Sequence, residues 1–256
     1  LDVLQKWADK DNRIVVINQA NGRQGKARNA AMAIAKGEYI GMIDSDDYIP
    51  ANYFEKLYNA AVINNAEIAI CGIIKEKPAG NRTVIEFKES TVATTTQEKL
   101  QVSKCPPEFH PVNKLYSKEM LERIGLRFAE GVQYEDVMFV FRAICESNRL
   151  VTVPDICYRY VLNSSSTVKS KQTETKQLQK YSAHKAMTDY AEQNGITIPN
   201  RYKNLTVTHK SISGICLWKI KEKNNKRTLR LFDALPVWSW RKTEENAFNA
   251  PIDLVY

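Results

Sequence analysis

Residues 13–47, RIVVINQANGRQGKARNAAMAIAKGEYIGMIDSDD, decide the fold. RIVVIN (13–18) is a short run rich in β-branched residues and reads as a strand. GKARNAAMAIAKG (25–37) reads as an Ala-rich helix closed by Gly37, and EYIGMID (38–44) as a second strand. Strand, helix, strand is the unit of an open α/β sheet, and in such sheets the carboxyl ends of strands line the ligand crevice. Asp44, Asp46 and Asp47 stand at that position. Three carboxylates in four residues repel one another unless a cation or several donors neutralise them, and hard divalent cations prefer oxygen ligands of this kind. The same DSDD also reads as an acidic turn capping the helix that starts near Pro50.

The rhythm continues outward. IPANYFEKLYNAAVINN (49–65) carries Phe54, Leu57, Tyr58, Ala61 and Val62 at helical spacing, and AEIAICGIIKE (66–76) reads as a strand. TVIEF follows as a strand, and STVATTTQEKLQV as a polar loop leading into a helix. NKLYSKEMLERIG reads as a helix ended by Gly125, YEDVMFVFRAICESN as a helix with Val137, Phe141, Ile144 and Cys145 on one face, and LVTVPDICYRYVL as a strand. Beyond Val168 the pattern reads as helical, first over SKQTETKQLQKYSAHKAMTDYAEQNG and then over LTVTHKSISGICLWKIKEKN.

With 43% hydrophobic and 26% charged residues in 256, the chain has the composition of an ordinary globular protein, which excludes disorder and collagen-like repeats. No apolar run approaches the roughly 18–20 residues of a membrane-spanning helix. LDVLQKWADK shows no secretory leader pattern. Cys71, Cys105, Cys145, Cys157 and Cys216 are odd in number and form no CxxC pair, which argues against a disulfide framework or a thiolate zinc site and for a reducing cytoplasm. His110, His184 and His209 are too far apart for a histidine metal site, so any metal would take carboxylates. The charge is uneven: residues 1–167 hold 21 Lys+Arg against 21 Asp+Glu, whereas 168–230 hold 14 against 4. A basic back segment of this kind suits an anionic partner, a membrane surface or a nucleic acid, and also reads as a solvated helical face.

Two further patterns carry chemistry. NGRQGKARN places Gly22 and Gly25 before a helix N-terminus, with Arg23, Lys26 and Arg28 around them, the composition found where backbone amides and cations meet phosphate oxygens. It is neither GxxxxGK[ST] nor GxGxxG, so P-loop and dinucleotide-binding readings fail. Tyr134-Glu135-Asp136 starts a helix, where adjacent carboxylates are favoured by the macrodipole and where a positioned carboxylate also serves as a general base. An aspartyl-nucleophile phosphatase places Asp-x-Asp at a strand end too, but its Thr or Val position does not match the Tyr48-Ile49 found here.

In this order, NQANGRQGKARNAAMAIAKGEYIGMIDSDDYIPANYFEKLY, NKLYSKEML, GVQYEDVMFVFRA and YRYVLNSSST resemble the family 2 nucleotide-sugar glycosyltransferases over about residues 1–167. The resemblance implies a GT-A fold, a Rossmann-like open α/β sheet with helices on both faces. It implies a catalytic domain over 1–167, followed by a basic, mainly helical C-terminal region over 168–256. Further, it implies inverting transfer from a nucleotide-sugar, a UDP-sugar in most of the family, to a glycan or lipid-linked acceptor of the bacterial cell surface. By the same resemblance Asp46 is the ligand of Mn²⁺ or Mg²⁺, and Asp44 contacts ribose or metal. Asp136 is the base, with Glu135 supporting it or binding acceptor. Arg28, Asn29 and Lys26 are donor contacts, and Lys114-Leu115-Tyr116 frames the acceptor side, with a packing role for Tyr116 as the alternative.

The family pattern begins with a strand, a helix and a second strand that this sequence lacks before Leu1, so the donor pocket is expected to be incomplete, and a catalytically inactive binding protein of the same fold stays open as an alternative. At YRYVLNSSST, Val161 stands where the family often has Arg; Arg159 is taken to substitute and Ser166 matches the usual Ser. The expected location is cytoplasmic, with the basic segment and Trp238 and Trp240 resting on an anionic membrane face. No nucleic acid is expected, since the basic segment lacks the motifs of known modules.

Overall fold

The structure, a computed structural model, describes residues 2–77, 80–162, 174–199 and 202, together with the backbone of four strands between 206 and 241. The chain divides into two compact units, Leu1–Leu162 and Asn163–Tyr256.

The first unit is built on a six-stranded mixed sheet. Helix α1 (Asp2–Ala8) buries none of its residues. Helix α2 (Arg23–Ile34) precedes strand β1 (Tyr39–Gly41), and α3 (Tyr53–Ile63) precedes β2 (Ile68–Glu76), as the sequence pattern requires. Short strands β3 (Arg82–Ile85) and β4 (Val92–Ala93) lead to α4 (Thr96–Val102). Strand β5 (Lys114–Ser117) runs directly into α5 (Lys118–Arg123), and α6 (Glu135–Glu146) leads to β6 (Leu150–Val161). The strand order is β1-β5-β2-β6-β4, with β3 pairing β2 beyond β5. The β2–β6 pair is parallel and the remaining pairs are antiparallel.

Strand β2 is the centre of the unit. Ile68, Ala69, Ile70, Cys71 and Ile73 are fully buried, because helices cover both faces of the sheet. Ile68 pairs with Tyr116 of β5, whose ring lies edge-on to Phe139 of α6 at 5.6 Å, so that face packs on α6. Cys71, on the opposite face by alternation, meets the Tyr53 hydroxyl of α3 at 3.4 Å. The helix ends are well satisfied. Thr95 and Glu98 form a reciprocal capping box on α4, and the buried Lys99 donates to the Cys145 carbonyl at 3.1 Å and to that of Ser147, neutralising the negative end of α6.

Several expectations are corrected. RIVVIN is not a strand: no strand among the described residues pairs with 13–18, and Ile14, Val15 and Ile17 are 39%, 67% and 41% exposed. A β-branched run becomes a strand only where a neighbour completes its ladder. The buried face of α3 is Tyr53, Leu57 and Ala61, and Phe54, Tyr58 and Val62 lie outward. Asn113-Lys114-Leu115-Tyr116 leaves the expected helix, because Lys114–Ser117 completes the ladder between β1 and β2.

In the second unit, α7 (Glu174–Gln193) is the expected helix. Residues 206–223, expected as a second one, instead form strands β7 (Thr206–Ile212) and β8 (Ile215–Lys223). These join β9 (Lys226–Leu231) and β10 (Leu235–Arg241) in an antiparallel sheet of order β10-β9-β8-β7. The alternation in Thr-Val-Thr and Lys-Ile-Lys has the period of a strand, and that period prevails.

Gly72 marks the irregularity in the β2–β6 register, and a Cβ there would lie 2.6 Å from the Cys157 sulfur and 2.7 Å from the Ile85 carbonyl oxygen. Gly72→Ala is therefore expected to lower unfolding free energy by about 1–3 kcal/mol, read as a reduced urea midpoint at unchanged m. An unchanged midpoint would contradict this packing.

Candidate functional site

Three segments far apart in sequence meet at the carboxyl end of β1. Helix α2 approaches the 128–131 loop so closely that a Cβ on the buried Gly25 would overlap the Ala129 carbonyl oxygen. One turn on, Asn29 clamps the same loop: its amide donates to the Phe128 carbonyl at 3.0 Å and to Glu130 at 2.8 Å, and its oxygen accepts from Phe128 N–H at 2.9 Å. The Asn29 carboxamide is thus committed to the Phe128 backbone, and Gly25 serves close packing. Gly22 accepts from Gly131 N–H at 3.3 Å, and the Lys26 stem lies over it, since a Cβ on Gly22 would meet Lys26 Cδ.

Arg28 sits between these elements. Its guanidinium donates to Asp44 Oδ1 at 2.9 Å and to Glu135 Oε1 at 3.1 Å, and it lies 5.2 Å from the centre of the Phe128 ring. Phe128 stacks on Phe139 at 3.7 Å, so the cation rests on an aromatic column rooted in α6. The Arg28 and Glu135 side chains are only 14% and 8% exposed, and a buried charge is tolerable there because each has an opposite partner.

The DSDD turn divides its labour. Asp47 accepts from the Tyr158 hydroxyl at 2.7 Å and from Val161 N–H at 2.8 Å, and Tyr158 in turn accepts from Asp44 N–H at 3.0 Å. Asp47 therefore ties the turn to β6, and burial, against those two donors, raises its carboxyl above the usual range. Val161 contributes its backbone amide to this anchor. Asp44 is partly exposed and Asp46 exposed. These two carboxylates, two residues apart at a strand exit, are the oxygen donors suited to a hard divalent cation. No group of three His, Cys, Asp or Glu among the described residues could hold a metal ion.

Tyr134 opens α6 in the left-handed conformation, φ 65°, without a side-chain cap. This turn places Glu135 inward against Arg28 and Asp136 beside it. Burial first, and the neighbouring Glu135 charge second, push the Asp136 carboxyl up to about 6, against the helix N–H groups and Arg28. Beneath lie Lys114 and Tyr116 of β5, both fully buried. Lys114 donates to the His110 carbonyl at 2.6 Å and to Asn113 at 2.8 Å, and burial lowers its ammonium to about 8. These two residues form the floor of the site, and Tyr116 packs in the core beneath it.

Arg159 pairs with Glu76 at 3.5 Å, and Glu76 accepts from the Tyr48 hydroxyl at 2.6 Å; the Tyr48 and Arg159 backbones bridge one another. Ser166 lies outside the described residues. Of the residues expected at the site, Arg28, Asp44, Glu135 and Asp136 are brought together. Asn29 and Asp47 serve architecture, and Arg159 holds the turn to the end of β6. Tyr158, Phe128 and Glu76 had no signal in the sequence beyond their neighbours.

Residues 1–125 match the model of the family described as Glycosyl transferase family 2. An uncharacterized glycosyltransferase, EpsJ, of Bacillus subtilis (strain 168) is 32% identical over 170 residues, 64% of this chain and 49% of that protein. The poly(ribitol-phosphate) beta-N-acetylglucosaminyltransferase TarS of Staphylococcus aureus (strain Mu50) is 29% identical over 164 residues, 62% of this chain and 27% of that one. The crystal structure of S. aureus TarS 1-349 in complex with UDP-GlcNAc shares the fold, with TM-score 0.60 at 21% identity over 73% of this chain and 52% of that chain. The chain thus spans about half the length, or less, of the curated relatives it matches.

Asp136 also has a stability signature. Its folded value, about 6, is above the unfolded one of 3.8, so ionisation costs stability, beginning as pH rises past the unfolded value and complete above the folded one. Asp136→Asn is expected to match wild type in urea unfolding at pH ~4 and to exceed it by about 1–3 kcal/mol at pH ~8. Equal stability at both pH values would remove the burial argument.

Proposed function

We propose that this chain, which carries a glycosyl transferase family 2 domain of the GT-A fold, is a metal-dependent inverting glycosyltransferase. It moves a sugar from a nucleotide-sugar, a UDP-sugar, to a hydroxyl of a glycan or lipid-linked acceptor in bacterial cell-surface polysaccharide synthesis. The observation that carries the reading is the Arg28 bridge, which holds a donor-side carboxylate, Asp44, and the start of α6, with Asp136, in one constellation. The relatives point the same way: TarS is a poly(ribitol-phosphate) transferase by name, and its structure was solved with UDP-GlcNAc.

In this reading Asp46 and Asp44 would hold Mn²⁺ or Mg²⁺, which would supply positive charge beside the diphosphate of the donor. Asp136 accepts the proton of the acceptor hydroxyl as that oxygen attacks the anomeric carbon. A carboxyl near 6 is ionised at neutral pH yet a better proton acceptor than an ordinary one. Glu135 keeps Arg28 in place and raises the proton affinity of Asp136. No protein nucleophile is needed for inversion. The basic second unit would keep the chain peripheral to an anionic membrane face where a lipid-linked acceptor resides; no helix among the described residues is long and apolar enough to cross a membrane.

Calorimetric titration with UDP tests the donor side. Binding is expected with Mn²⁺, with a loss of at least about tenfold without it or in Asp46→Ala; absent or metal-indifferent binding would contradict the reading. On the acceptor side, kcat/KM is expected to fall as pH drops through about 6, where Asp136 becomes protonated and cannot accept. Asp136→Asn is expected to cost about 10²–10⁴-fold in kcat with UDP affinity retained. A variant that keeps its rate would exclude Asp136 as the base.

A further inference from the structure

The register of the second unit's sheet sorts its charges. Alternate residues of a strand share a face, so β8 places Lys219, Lys221 and Lys223 together. Their antiparallel partners share that face: Arg230, Thr228 and Lys226 on β9, and Thr208 and Thr206 opposite Lys219 and Lys221 on β7. The β10 partners of this row are Pro236, Ser239 and Arg241. One face therefore gathers six cations, Lys219, Lys221, Lys223, Lys226, Arg230 and Arg241, with three threonines and a serine and no Asp or Glu. The other face gathers Trp218, Ile220, Leu229, Leu231, Val207, Leu235, Trp238 and Trp240, and its charges include the cross-strand pair Glu222 and Arg227.

The cations are registered against one another. Lys219 stands opposite Arg230, Lys223 opposite Lys226, and Lys226 opposite Arg241. Like charges directly opposite in a ladder destabilise it, so an array of three such pairs calls for an anionic occupant. The array extends in two directions, about 7 Å between alternate residues and about 4.8 Å between strands. Sheets that bind single-stranded nucleic acid stack its bases on aromatic residues of their face, and none of the residues registered on this face is aromatic, so the array suits an anionic surface. We infer that the Lys219–Lys223 face of this sheet docks on an anionic lipid headgroup layer. Trp238 and Trp240, expected from the sequence to rest on the membrane, are placed on the opposite face. This names the residues behind the peripheral membrane contact in the functional reading, and rests on that reading only for the acceptor being lipid-linked.

The test is co-sedimentation of the full chain with vesicles of phosphatidylcholine plus phosphatidylglycerol, against phosphatidylcholine alone, at low and high salt. Retention by the anionic vesicles only, released by salt, is expected. Lys219→Glu, Lys221→Glu and Lys223→Glu together are expected to weaken it more than about tenfold. The exposed first-unit set Lys10→Glu, Lys36→Glu and Lys88→Glu, with the same change in net charge, should weaken it far less. If the sheet triple loses its circular dichroism, Lys226→Gln, Arg230→Gln and Arg241→Gln replace it, since they remove the opposed like charges. No retention, equal loss in both sets, or binding of long-chain polyphosphate with none of vesicles would overturn the inference. UDP titration of the same variants separates the two claims: intact UDP binding without vesicle binding sinks docking alone, and the reverse sinks the donor site alone.

Discussion

The first unit depends on one shared cation. Arg28 is fixed by the Phe128 ring below it and donates to Asp44 on one side and Glu135 on the other. Without it, Asp44, Glu135 and Asp136 would converge as acids with little to offset their repulsion, in a place where Glu135 is nearly buried. With it, segments separated by 16 and 107 positions acquire a common reference point. The surrounding contacts then become intelligible: Gly25 and Asn29 bring α2 onto the 128–131 loop, which aims the guanidinium, and Asp47 with Tyr158 anchors the turn that presents Asp44.

That arrangement strains the start of α6 in a useful direction. Tyr134 adopts a conformation uncommon for a bulky residue, the helix has no side-chain cap, and two adjacent carboxylates begin its first turn. At Asp136 the helix N–H groups and Arg28 favour the charge, while burial and the neighbouring Glu135 disfavour it. Burial wins at Asp136, and the outcome is a carboxylate with raised proton affinity on a rigid helix whose far end is secured by Lys99. Ionised Asp136 therefore costs stability, which the packed interior of α6 against β5 offsets.

Much of this was legible in the sequence. The helix-then-strand rhythm from Gly25 to Cys71, and the placing of DSDD and Glu135-Asp136 at element ends, follow from periodicity and turn chemistry and agree with the structure. What was not legible depends on partners. RIVVIN has the residues of a strand but no neighbour in the described ladder. Asn29, a donor contact by the resemblance, bonds Phe128 and Glu130, and Asp47 bonds Tyr158 and Val161, on segments about a hundred positions away. Gly25 looks like a phosphate turn, and is small because a carbonyl needs the space. The segment 206–223, expected as a helix, carries the period of a strand in Thr-Val-Thr and Lys-Ile-Lys.

The central claim is that burial, with the neighbouring Glu135 charge, raises the proton affinity of Asp136 against the opposing pull of Arg28. The most direct measurement is a carbon-13 carboxyl NMR titration of Asp136 in the wild type and in Arg28→Ala. The account predicts a midpoint at about 6 in the wild type and a higher one when the neighbouring cation is removed. A midpoint near the ordinary ~4, unchanged by the substitution, would contradict it.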